Sequence, residues 1–217
     1  MQQWVVEHGT LWALETGDGL PPACSARVET VFKELEAGEL DDLTAAMSLP
    51  SSELIHRRLE GNRRCFILKI DGRLATYGWV THGVETVGEL EREFHFRDDE
   101  TYIWDCVTLP AYQRQRCYSA LLSHIIYRLH HEGVPRIWIG ASVPNDPSVR
   151  GFANAGFQPV IDLTYRRFYR LTILWFQQAP AAFPHLVSAA YRILVNNHEQ
   201  RLGRLAIGYK QIPLHLG

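Results

Sequence analysis

The sequence is poor in the features that mark several protein classes. It has only four cysteines, Cys24, Cys65, Cys106 and Cys117, and their wide spacing matches no metal-binding pattern. In a chain of this size we expect reduced core thiols of a cytoplasmic protein, and no metal. The N-terminus lacks a basic start followed by a long apolar run, so we expect no signal peptide. No apolar run approaches the roughly 20 residues that a membrane-spanning helix needs.

A strong excess of charge of one sign is also missing. The 22 lysines and arginines and the 24 aspartates and glutamates give a formal net charge of −2, which argues against a general nucleic-acid-binding protein. What the chain does have is length and apolar content, with 217 residues of which 46% are hydrophobic. This is enough for a full core, and we expect a single large domain with room for an appended element. The class that remains is a soluble globular protein with no membrane or nucleic-acid partner.

The N-terminal half predicts a strand, two helices and a β-hairpin. Residues 4–15 carry β-type side chains and end in a Gly/Pro-rich turn cluster, which predicts an edge strand. Residues 25–39 and 43–59 have apolar side chains at helical spacing and are predicted to be helices. The Asp-Gly dipeptide at 71–72 lies between two apolar segments and predicts a two-residue hairpin turn. The charged segment 89–100 is predicted to be a solvated loop.

The C-terminal half predicts alternating strands and helices. A buried strand that starts at Thr101 is followed by a helix with a continuous apolar stripe, a second buried strand and a short helix. For the short helix we predict Asp146 as the cap and Gly156 as the stop. An apolar strand and an amphipathic helix after Pro184 complete the pattern. The alternation from Thr101 onward implies right-handed crossovers onto a partly parallel sheet, and the hairpin makes the sheet mixed.

The segment 109–126 raises a question about ligand binding. Its second half is an amphipathic helix, and its first half is a tight connection with Gln113, Arg114, Gln115 and Arg116 and no glycine. Backbone N–H groups at a helix start point outward without partners and can hold an anion. The turn therefore either binds a phosphate-bearing ligand or is a polar corner that faces water.

The order of elements and two short motifs resemble those of the acetyl-CoA-dependent N-acyltransferases, the GNAT superfamily. The family's first motif is often written P-x-Y-R-G-x-G-x-G-S-A-L-L, with Arg or Gln at its fourth position, and residues 110–122 read PAYQRQRCYSALL. The second motif places an asparagine, a small residue, an aromatic residue and a closing Gly-Phe at fixed spacing. Its matches here are Asn145, Ser148, Phe152, Gly156 and Phe157. The resemblance spans roughly residues 65–176.

The resemblance implies a fold, a division of the chain and an activity. The fold is α/β, with a mixed, mostly antiparallel sheet, a central parallel pair and a C-terminal strand–helix extension. Residues 1–178 would form the acyltransferase domain, and residues 179–217 an extension packed on the same domain or on a partner subunit, which makes a homodimer an open option. The implied activity is transfer of an acetyl or short acyl group from acyl-CoA to an amine acceptor. Acetyl-CoA is then the co-substrate, and the mechanism needs no metal.

By resemblance, the cofactor binds along the strand before the loop, at the loop and at the second motif. The residues at these positions are Val107, Thr108, Leu109, Gln113, Arg114, Gln115, Arg116, Cys117, Tyr118, Ser119, Asn145, Ser148 and Phe152. Arg114, Arg116 and Tyr118 stand where the family has glycines. If the loop needs a positive φ, Arg116 is strained by roughly 1–2 kcal/mol, while both arginines offer bidentate contacts to phosphate. The alternative is a degenerate loop whose polar side chains face water.

Acyl transfer to an amine needs a base for the amine proton and an acid for the departing thiolate. The family's tyrosine acid falls on Phe152, which cannot donate a proton, so thiolate departure is predicted to be unassisted unless Tyr118 or Tyr102 has taken over. In the central strand the catalytic candidates are Asp105 and Tyr102. Strand alternation places them on opposite faces unless a bulge intervenes, and a buried carboxylate must be paired or shifted. A structural hydrogen-bond acceptor is the other interpretation of Asp105.

Two alternatives to the acyltransferase remain open. The missing glycines and the missing tyrosine favour a non-catalytic acyl-CoA-binding or interaction domain of the same fold, whereas the spacing of both motifs favours the enzyme. Cys117 follows two arginines at a helix start, a setting that lowers a thiol pKa and fits a cysteine hydrolase, but a core thiol is the simpler interpretation. His82, Glu93 and His95 are weaker candidates to frame an acceptor pocket. The charged segment 89–100 hints at a cationic amine.

Overall fold

The structure, a computed structural model, describes residues 5–17, 19–90, 92–143, 145–169, 171–196 and 199–209. The strands are β1 (Val5–Glu15), β2 (Val31–Glu34), β3 (Arg63–Ile70), β4 (Arg73–His82), β5 (Val84–Val87), β6 (Arg92–His95), β7 (Glu100–Thr108), β8 (Arg136–Ser142), β9 (Gln158–Phe168), β10 (Leu171–Gln178), β11 (Gln200–Leu202) and β12 (Leu205–Tyr209). The helices are α1 (Leu40–Ala46), α2 (Glu53–Glu60), α3 (Cys117–His131), α4 (Asp146–Asn154) and α5 (Pro184–Leu194). Short 3-10 turns lie at Ala37–Glu39, Gly88–Leu90 and Pro110–Tyr112.

Ten of these strands form one sheet, in the order β11-β12-β10-β9-β1-β8-β7-β4-β3-β2. Neighbouring strands are antiparallel except β7 and β8, which run parallel near the centre of the sheet and are connected through α3. The strands β5 and β6 pair with each other as a separate hairpin. The predicted mixed, mostly antiparallel sheet with a central parallel pair is confirmed.

Helices cover both faces of the sheet and create its core. On the first face, α3 and α4 pack against the sheet, and the stripe predicted for α3 is completely buried. On the second face, α5 and the β5–β6 hairpin cover one end of the sheet, and α1 and α2 cover the other. Strand alternation separates the two faces, because Phe66 and Leu68 of β3 join the first cluster while Cys65 and Ile67 join the second-face cluster.

The helix α4 ends at the expected residue, with one correction at its start. Gly133 follows α3 with a φ of 82°, and Gly156 follows α4 with a φ of 92°, a conformation that favours glycine. The cap of α4 is Asn145, whose side chain accepts a hydrogen bond from the Ser148 backbone N–H at 3.3 Å. Asp146, predicted as the cap, is instead the first helical residue, where its negative charge is favourable to the helix dipole.

The strand β1 is interior, which corrects the prediction of an edge strand. It pairs with β8 on one side and with β9 on the other. Leu11, Trp12, Ala13 and Leu14 are all buried, so the strand is covered on both faces as well. A continuous apolar run is the pattern of such a strand, and the run is the signal that the edge prediction missed. Trp4, which the prediction included, lies outside the described residues.

Residues 25–39 do not form the predicted helix. They contain an irregular segment, the short strand β2 and a 3-10 turn. β2 pairs with β3, and the Phe32 ring stacks on Phe66 and His124 with ring centroids 5.6 and 4.7 Å apart. These tertiary contacts outweigh the helical spacing of the apolar residues. The second predicted helix, 43–59, is interrupted near Pro50 and forms α1 and α2 as separate helices.

The predicted hairpin is confirmed, and the predicted charged loop after it is wrong. Asp71 and Gly72 have φ angles of 49° and 75°, as a turn with two left-handed residues requires. The segment 89–100 was expected to be a solvated loop, but it contains β6 and buries Phe94 and Phe96. Its apolar residues alternate with charged ones that face outward, which is the pattern of a half-buried strand.

The C-terminal part contains the predicted strand and helix and two further strands. β10 and α5 lie where they were predicted, and β11 and β12 extend the sheet beyond β10. The buried side of α5 consists of Leu186, Val187, Ala190, Ile193 and Leu194. Residues 210–217 of the predicted extension lie outside the described residues. No helix in the described chain is long and apolar enough to cross a membrane.

Candidate active site

The two parallel strands separate where a cavity opens in the centre of the sheet. β7 and β8 pair from Glu100 and Arg136 to Ile103 and Ile139, and both strands continue beyond this point. A cavity of about 710 Å3 lies between their ends. We call the space between the separated strands the wedge. The cavity extends to both faces of the sheet, because its wall reaches α4 on the first face and the β5–β6 hairpin on the second.

A β-bulge in β7 turns consecutive side chains towards the cavity. Asp105 has a φ of 43°, and the register between β4 and β7 shifts opposite Gly78. Glycine is required at position 78, because a Cβ there would lie 2.6 Å from the Cys106 sulfur. As a result Tyr102, Trp104, Asp105 and Cys106 all line the cavity. The strict alternation expected of a strand is broken at the bulge.

Asp105 is held by an arginine from a distant part of the chain. Arg58 of α2 donates from Nη1 to Asp105 Oδ2 at 2.5 Å. The guanidinium also lies over Trp79 and Trp104, with its central carbon 5.1 and 4.6 Å from the ring centroids. Arg58 thereby supplies the partner that a carboxylate in this strand needs. The ion pair fixes the carboxylate at the wall of the cavity.

The loop before α3 contains no glycine, but two of its residues have a backbone conformation that favours glycine. Arg114 has a φ of 64°, and Arg116, the N-cap of α3, has a φ of 62° and a ψ of 17°. Both arginines therefore occupy the left-handed region, at two of the positions where the family has glycine. A residue outside the loop binds one of its backbone oxygens. The Arg27 backbone N–H donates a hydrogen bond to the Gln115 backbone oxygen at 2.9 Å.

The start of α3 has the features of an anion-binding site. No side chain caps its first turn, so the N–H groups of this turn point out of the helix end. The guanidiniums of Arg114 and Arg116 are exposed beside it. The side-chain oxygen of Gln115 is buried and has no hydrogen-bond partner among the described residues. These groups are suited to a ligand with several phosphate oxygens and a nearby N–H or O–H donor.

Tyr118 projects from α3 into the wedge and rests on a glycine of α4. A Cβ at Gly151 would lie 2.6 Å from Cε1 of the Tyr118 ring, so only glycine leaves room for this ring. The side chains of Tyr118 and Ser148 form a hydrogen bond, and burial raises the pKa of Tyr118 well above its ordinary value. Phe152 lies beside it with ring centroids 6.3 Å apart. The wedge therefore contains a phenol, from α3 rather than from α4.

Tyr102 reaches the wedge from the opposite face of the sheet. Its ring stacks on Phe96 at a centroid distance of 5.1 Å and meets Phe94 edge-on at 5.9 Å. Its hydroxyl lies over Gly140 of β8, where a Cβ would approach it to 3.1 Å. Burial is the largest cause of the raised pKa of Tyr118, and the nearby Cys106 thiol and Tyr102 phenol add to it. The two phenols thus share the wedge.

The residues implied for cofactor binding fall into two groups. Tyr118, Asn145, Ser148 and Phe152 line the cavity itself. The others lie along its loop side and do not form its wall: Val107, Thr108, Leu109, Gln113, Arg114, Gln115, Arg116, Cys117 and Ser119. At the end of β7, the Val107 carbonyl accepts a hydrogen bond from Thr76 Oγ1 at 2.6 Å, and Thr108 Oγ1 donates to the same hydroxyl at 3.1 Å.

Four polar residues singled out in the sequence do not belong to the cavity. Cys117 is only 1% exposed, and burial raises its thiol pKa, which corrects the expectation of a lowered pKa and leaves a core thiol. His82 hydrogen-bonds Thr101 away from the cavity, and burial lowers the pKa of its imidazole. Glu93 and His95 pair with each other on the exposed side of β6 at 3.4 Å.

Several cavity residues were not predicted, because they come from elements that are distant in the sequence. Glu85 of β5 is buried and accepts hydrogen bonds from Arg63 Nε at 2.7 Å and from Thr81 Oγ1 at 2.6 Å. Phe94 comes from β6 and Leu194 from α5. No local spacing links these residues, so only the folded chain brings them together.

Comparison with known proteins identifies the family of the chain. The family model described as acetyltransferase (GNAT) family matches residues 31–157, which is more than half of the chain. The chain therefore belongs to the acetyltransferase (GNAT) family. No curated protein sequence matches it significantly.

Solved structures of other proteins are similar to this chain at low sequence identity. A GNAT-family acetyltransferase from Novosphingobium aromaticivorans is 14% identical, with a TM-score of 0.52 over 82% of this chain and 68% of its own. The tandem GNAT protein from the clavulanic acid biosynthesis pathway is 18% identical, with a TM-score of 0.50 over 82% of this chain and 55% of its own. The ribosomal-protein-S18-alanine N-acetyltransferase from Escherichia coli is 20% identical, with a TM-score of 0.49 over 61% of this chain and 81% of its own.

Proposed function

We propose that this chain transfers an acetyl or short acyl group from acyl-CoA to an amine acceptor. The observation that carries the proposal is the wedge between β7 and β8. It opens at an uncapped helix start and continues to a second compartment on the other face of the sheet. A long ligand with a phosphate end and a reactive end fits such a wedge, and a second substrate can meet the reactive end from the opposite side. Membership of the acetyltransferase family supports the same proposal.

The loop side of the wedge suits the phosphates of acetyl-CoA. Two arginines whose backbones are in the left-handed region provide cations, and the uncapped first turn provides N–H donors. The buried oxygen of Gln115 provides one acceptor that has no partner among the described residues. We assign cofactor binding to the set that the resemblance implies: Val107, Thr108, Leu109, Gln113, Arg114, Gln115, Arg116, Cys117, Tyr118, Ser119, Asn145, Ser148 and Phe152. Within this set, buried Cys117 contributes through its backbone.

The catalytic work of the chain is to orient the amine and to move two protons. Bound acetyl-CoA supplies the activated acyl group. Asp105, fixed by Arg58 at the cavity wall, is our candidate to accept the amine proton, directly or through a water molecule. Tyr102 and Tyr118 are our candidates to donate a proton to the departing sulfur. Because burial raises the pKa of Tyr118, its phenol stays protonated at neutral pH and can act as a donor.

A non-catalytic acyl-CoA-binding domain is the second candidate function. The observation in its favour is Phe152, which is 1% exposed and fills the position of the family's tyrosine without a proton to donate. The ion pair between Arg58 and Asp105 points the same way, because the guanidinium already occupies one oxygen of the carboxylate. This alternative predicts binding of acetyl-CoA without turnover.

Two measurements on the purified chain distinguish these functions. Calorimetric titration measures the binding of acetyl-CoA, and a thiol reagent detects release of free CoA in the presence of a panel of amines. We expect both binding and amine-dependent release. Binding without release from any amine identifies the non-catalytic domain, and the absence of binding contradicts both proposals.

The phosphate role of the loop has its own test, with a matched control. The double variant Arg114→Ala/Arg116→Ala should bind acetyl-CoA at least tenfold more weakly at low salt, and the difference should shrink as salt screens the exposed charges. Arg128→Ala removes an exposed guanidinium from the far end of the same helix and should leave the affinity unchanged. Equal affinity of the double variant and the wild type at low salt would exclude the role.

We further propose a cytoplasmic location, a homodimer and a structural extension that starts after residue 178. The extension buries one side of α5 on the second face of the sheet. A chain that ends at Gln178 should therefore be unfolded or aggregated. A soluble truncated chain that still binds acetyl-CoA would refute the structural role, and light scattering of the full chain tests the dimer.

A further inference from the structure

The end of the cavity that faces β5 and β6 has an apolar wall. We call this end the second compartment. Six buried residues with apolar or aromatic side chains line it: Leu11, Leu90, Phe94, Tyr102, Leu163 and Leu194. They come from β1, β6 and its preceding turn, β7, β9 and α5, so the apolar surface surrounds the compartment rather than lying on one side of it. An aliphatic or aromatic group is the kind of ligand that such a surface favours.

This wall is held in place by the C-terminal extension. Arg92 of β6 forms a buried ion pair with Glu199, with Nη1 2.6 Å from Oε1, and the two side chains are 3% and 0% exposed. The same guanidinium donates from Nη2 to the backbone oxygen of Leu194 at 2.8 Å. Arg192 of α5 donates to the backbone oxygen of His95 at 3.0 Å. These bonds connect the β5–β6 side of the compartment to α5 and to Glu199.

Two of the carboxylates in the compartment are already neutralised by arginines. Glu85 receives hydrogen bonds from Arg63 at 2.7 and 3.2 Å, from Thr81 at 2.6 Å and from a backbone N–H at 3.0 Å. Asp105 is paired with Arg58 at 2.5 Å. A ligand with several ammonium groups finds no second or third free anion at these positions, and it would have to break existing ion pairs.

One further carboxylate lines the cavity on the same face of the sheet. Glu7 lies on β1, two residues before Gly9, and no ion pair among the described residues involves it. Gly9 leaves the wall open between Glu7 and Leu11, because it has no side chain. On the opposite face of β1, the His8 ring is hydrogen-bonded to Thr164 at 3.0 Å. The compartment has three carboxylates, those of Glu7, Glu85 and Asp105, and two guanidiniums, those of Arg58 and Arg63. Together they leave one net negative charge, which matches one ammonium group.

We propose that the acceptor is a primary amine with a single ammonium group on an apolar aliphatic or aromatic body, and that polyamines and small hydroxylated amines are poor acceptors. The inference rests on the proposed function, and it adds the substrate class. The ammonium group binds near Glu7 and loses a proton before it reacts. The amine nitrogen then forms a bond to the acyl carbon as the carbon–sulfur bond breaks. The first of the two protons goes to water, the nitrogen releases its second proton to Asp105, and the sulfur of CoA takes up one proton from Tyr102 or Tyr118.

A panel of three amines tests the substrate class with the full-length chain and acetyl-CoA. The probes are 2-phenylethylamine, ethanolamine and spermidine, and the readout is kcat/KM from the release of free CoA. We expect 2-phenylethylamine to exceed each of the other two at least tenfold, because only its ring can be buried against the apolar wall. Direct calorimetric titration of the same amines into the chain gives an independent ranking that does not need turnover.

A pair of variants on β5 shows whether the compartment determines the preference. Val87→Glu places a new carboxylate in the cavity wall. It should shift the ratio of 2-phenylethylamine to spermidine at least tenfold towards spermidine. Val84→Glu adds the same charge on the outer side of β5, at a residue that is 43% exposed, and should leave the ratio unchanged.

The outcomes separate this inference from the proposed function. Failure to bind acetyl-CoA contradicts the proposed function, and the titration of the amines alone still decides the inference. Equal or better use of spermidine or ethanolamine overturns the inference. It is also overturned if both glutamate variants change the ratio equally. If acetyl-CoA binds and none of the three amines is acetylated, the titration decides, and 2-phenylethylamine that binds no tighter than the other two overturns the inference.

Discussion

The loop has two arginines, Arg114 and Arg116, whose backbones lie in the left-handed region, and this leads to a prediction about stability. A residue other than glycine in this region costs roughly 1–2 kcal/mol, because its Cβ is crowded by the backbone. Arg116, with a φ of 62° and a ψ of 17°, has this conformation. Replacement by glycine removes the crowding. It also increases the conformational entropy of the unfolded chain, which lowers the stability by about 0.5–1 kcal/mol. The net effect of Arg116→Gly should be a stabilisation of about 0.5–1 kcal/mol.

The matched control for this prediction is Arg116→Ala. Alanine removes the same guanidinium and keeps the Cβ, so the difference between the two variants isolates the backbone term. In a chain of this size a change of 1 kcal/mol shifts the melting temperature by about 2–4 °C, so calorimetry should find the glycine variant about 1–4 °C more stable than the alanine variant. The same pair at Arg114, where φ is 64°, should behave alike. A glycine variant that melts below the alanine variant would show that the loop is not strained, because the entropy cost of glycine would then be unopposed.

Three further predictions concern the wedge, its wall and the acid stability of the fold. Tyr118→Phe should lower kcat about 100-fold, because general-acid assistance has about this size; an unchanged kcat would mean that Tyr118 is not the proton donor and would leave Tyr102 or unassisted departure. Glu199→Gln should speed amide hydrogen exchange in residues 84–95 at least tenfold more than in α3, because it weakens the ion pair with Arg92; a uniform increase would indicate a global effect only. The hydrogen bond from Arg64 lowers the pKa of Glu132, so its contribution is present at neutral pH and is lost as the pH falls below the ordinary carboxyl range. Glu132→Gln should thus cost about 1 kcal/mol at pH 7 by denaturant unfolding and little at pH 3; a cost that does not change with pH would contradict the assignment.

The elements that the sequence predicted correctly have local signals. The Asp-Gly dipeptide defines its hairpin through two residues with positive φ, and the apolar stripe of α3 defines the face that it buries. Elements decided by distant partners were predicted less well. Residues 25–39 have a helical pattern and form β2 because β3 offers hydrogen bonds. The segment 89–100 contains β6 because Phe94 and Phe96 pack on Tyr102.

The candidate site divides in the same way. The motifs locate the loop, α3 and α4, because the family spacing lies within a short part of the sequence. The bulge at Asp105 has no such signal, since an aspartate in the middle of a strand gives no sign of a left-handed φ. Arg58, Glu85 and Leu194 come from α2, β5 and α5, and each looks like an ordinary helix or strand residue until the chain folds.

Two departures from the family motifs, Phe152 and Tyr118, are neighbours in the structure and belong to one packing arrangement. By position in the motifs, Phe152 replaces the family's tyrosine, and Tyr118 replaces a glycine of the loop. In the structure the Tyr118 ring occupies the space above Gly151, directly before Phe152 in α4, and its hydroxyl bonds Ser148 one turn earlier. A side chain larger than hydrogen at position 151 would displace that ring, so the glycine and the tyrosine depend on each other. The wedge therefore contains a phenol from α3, beside the α4 position at which the family's tyrosine is replaced by Phe152.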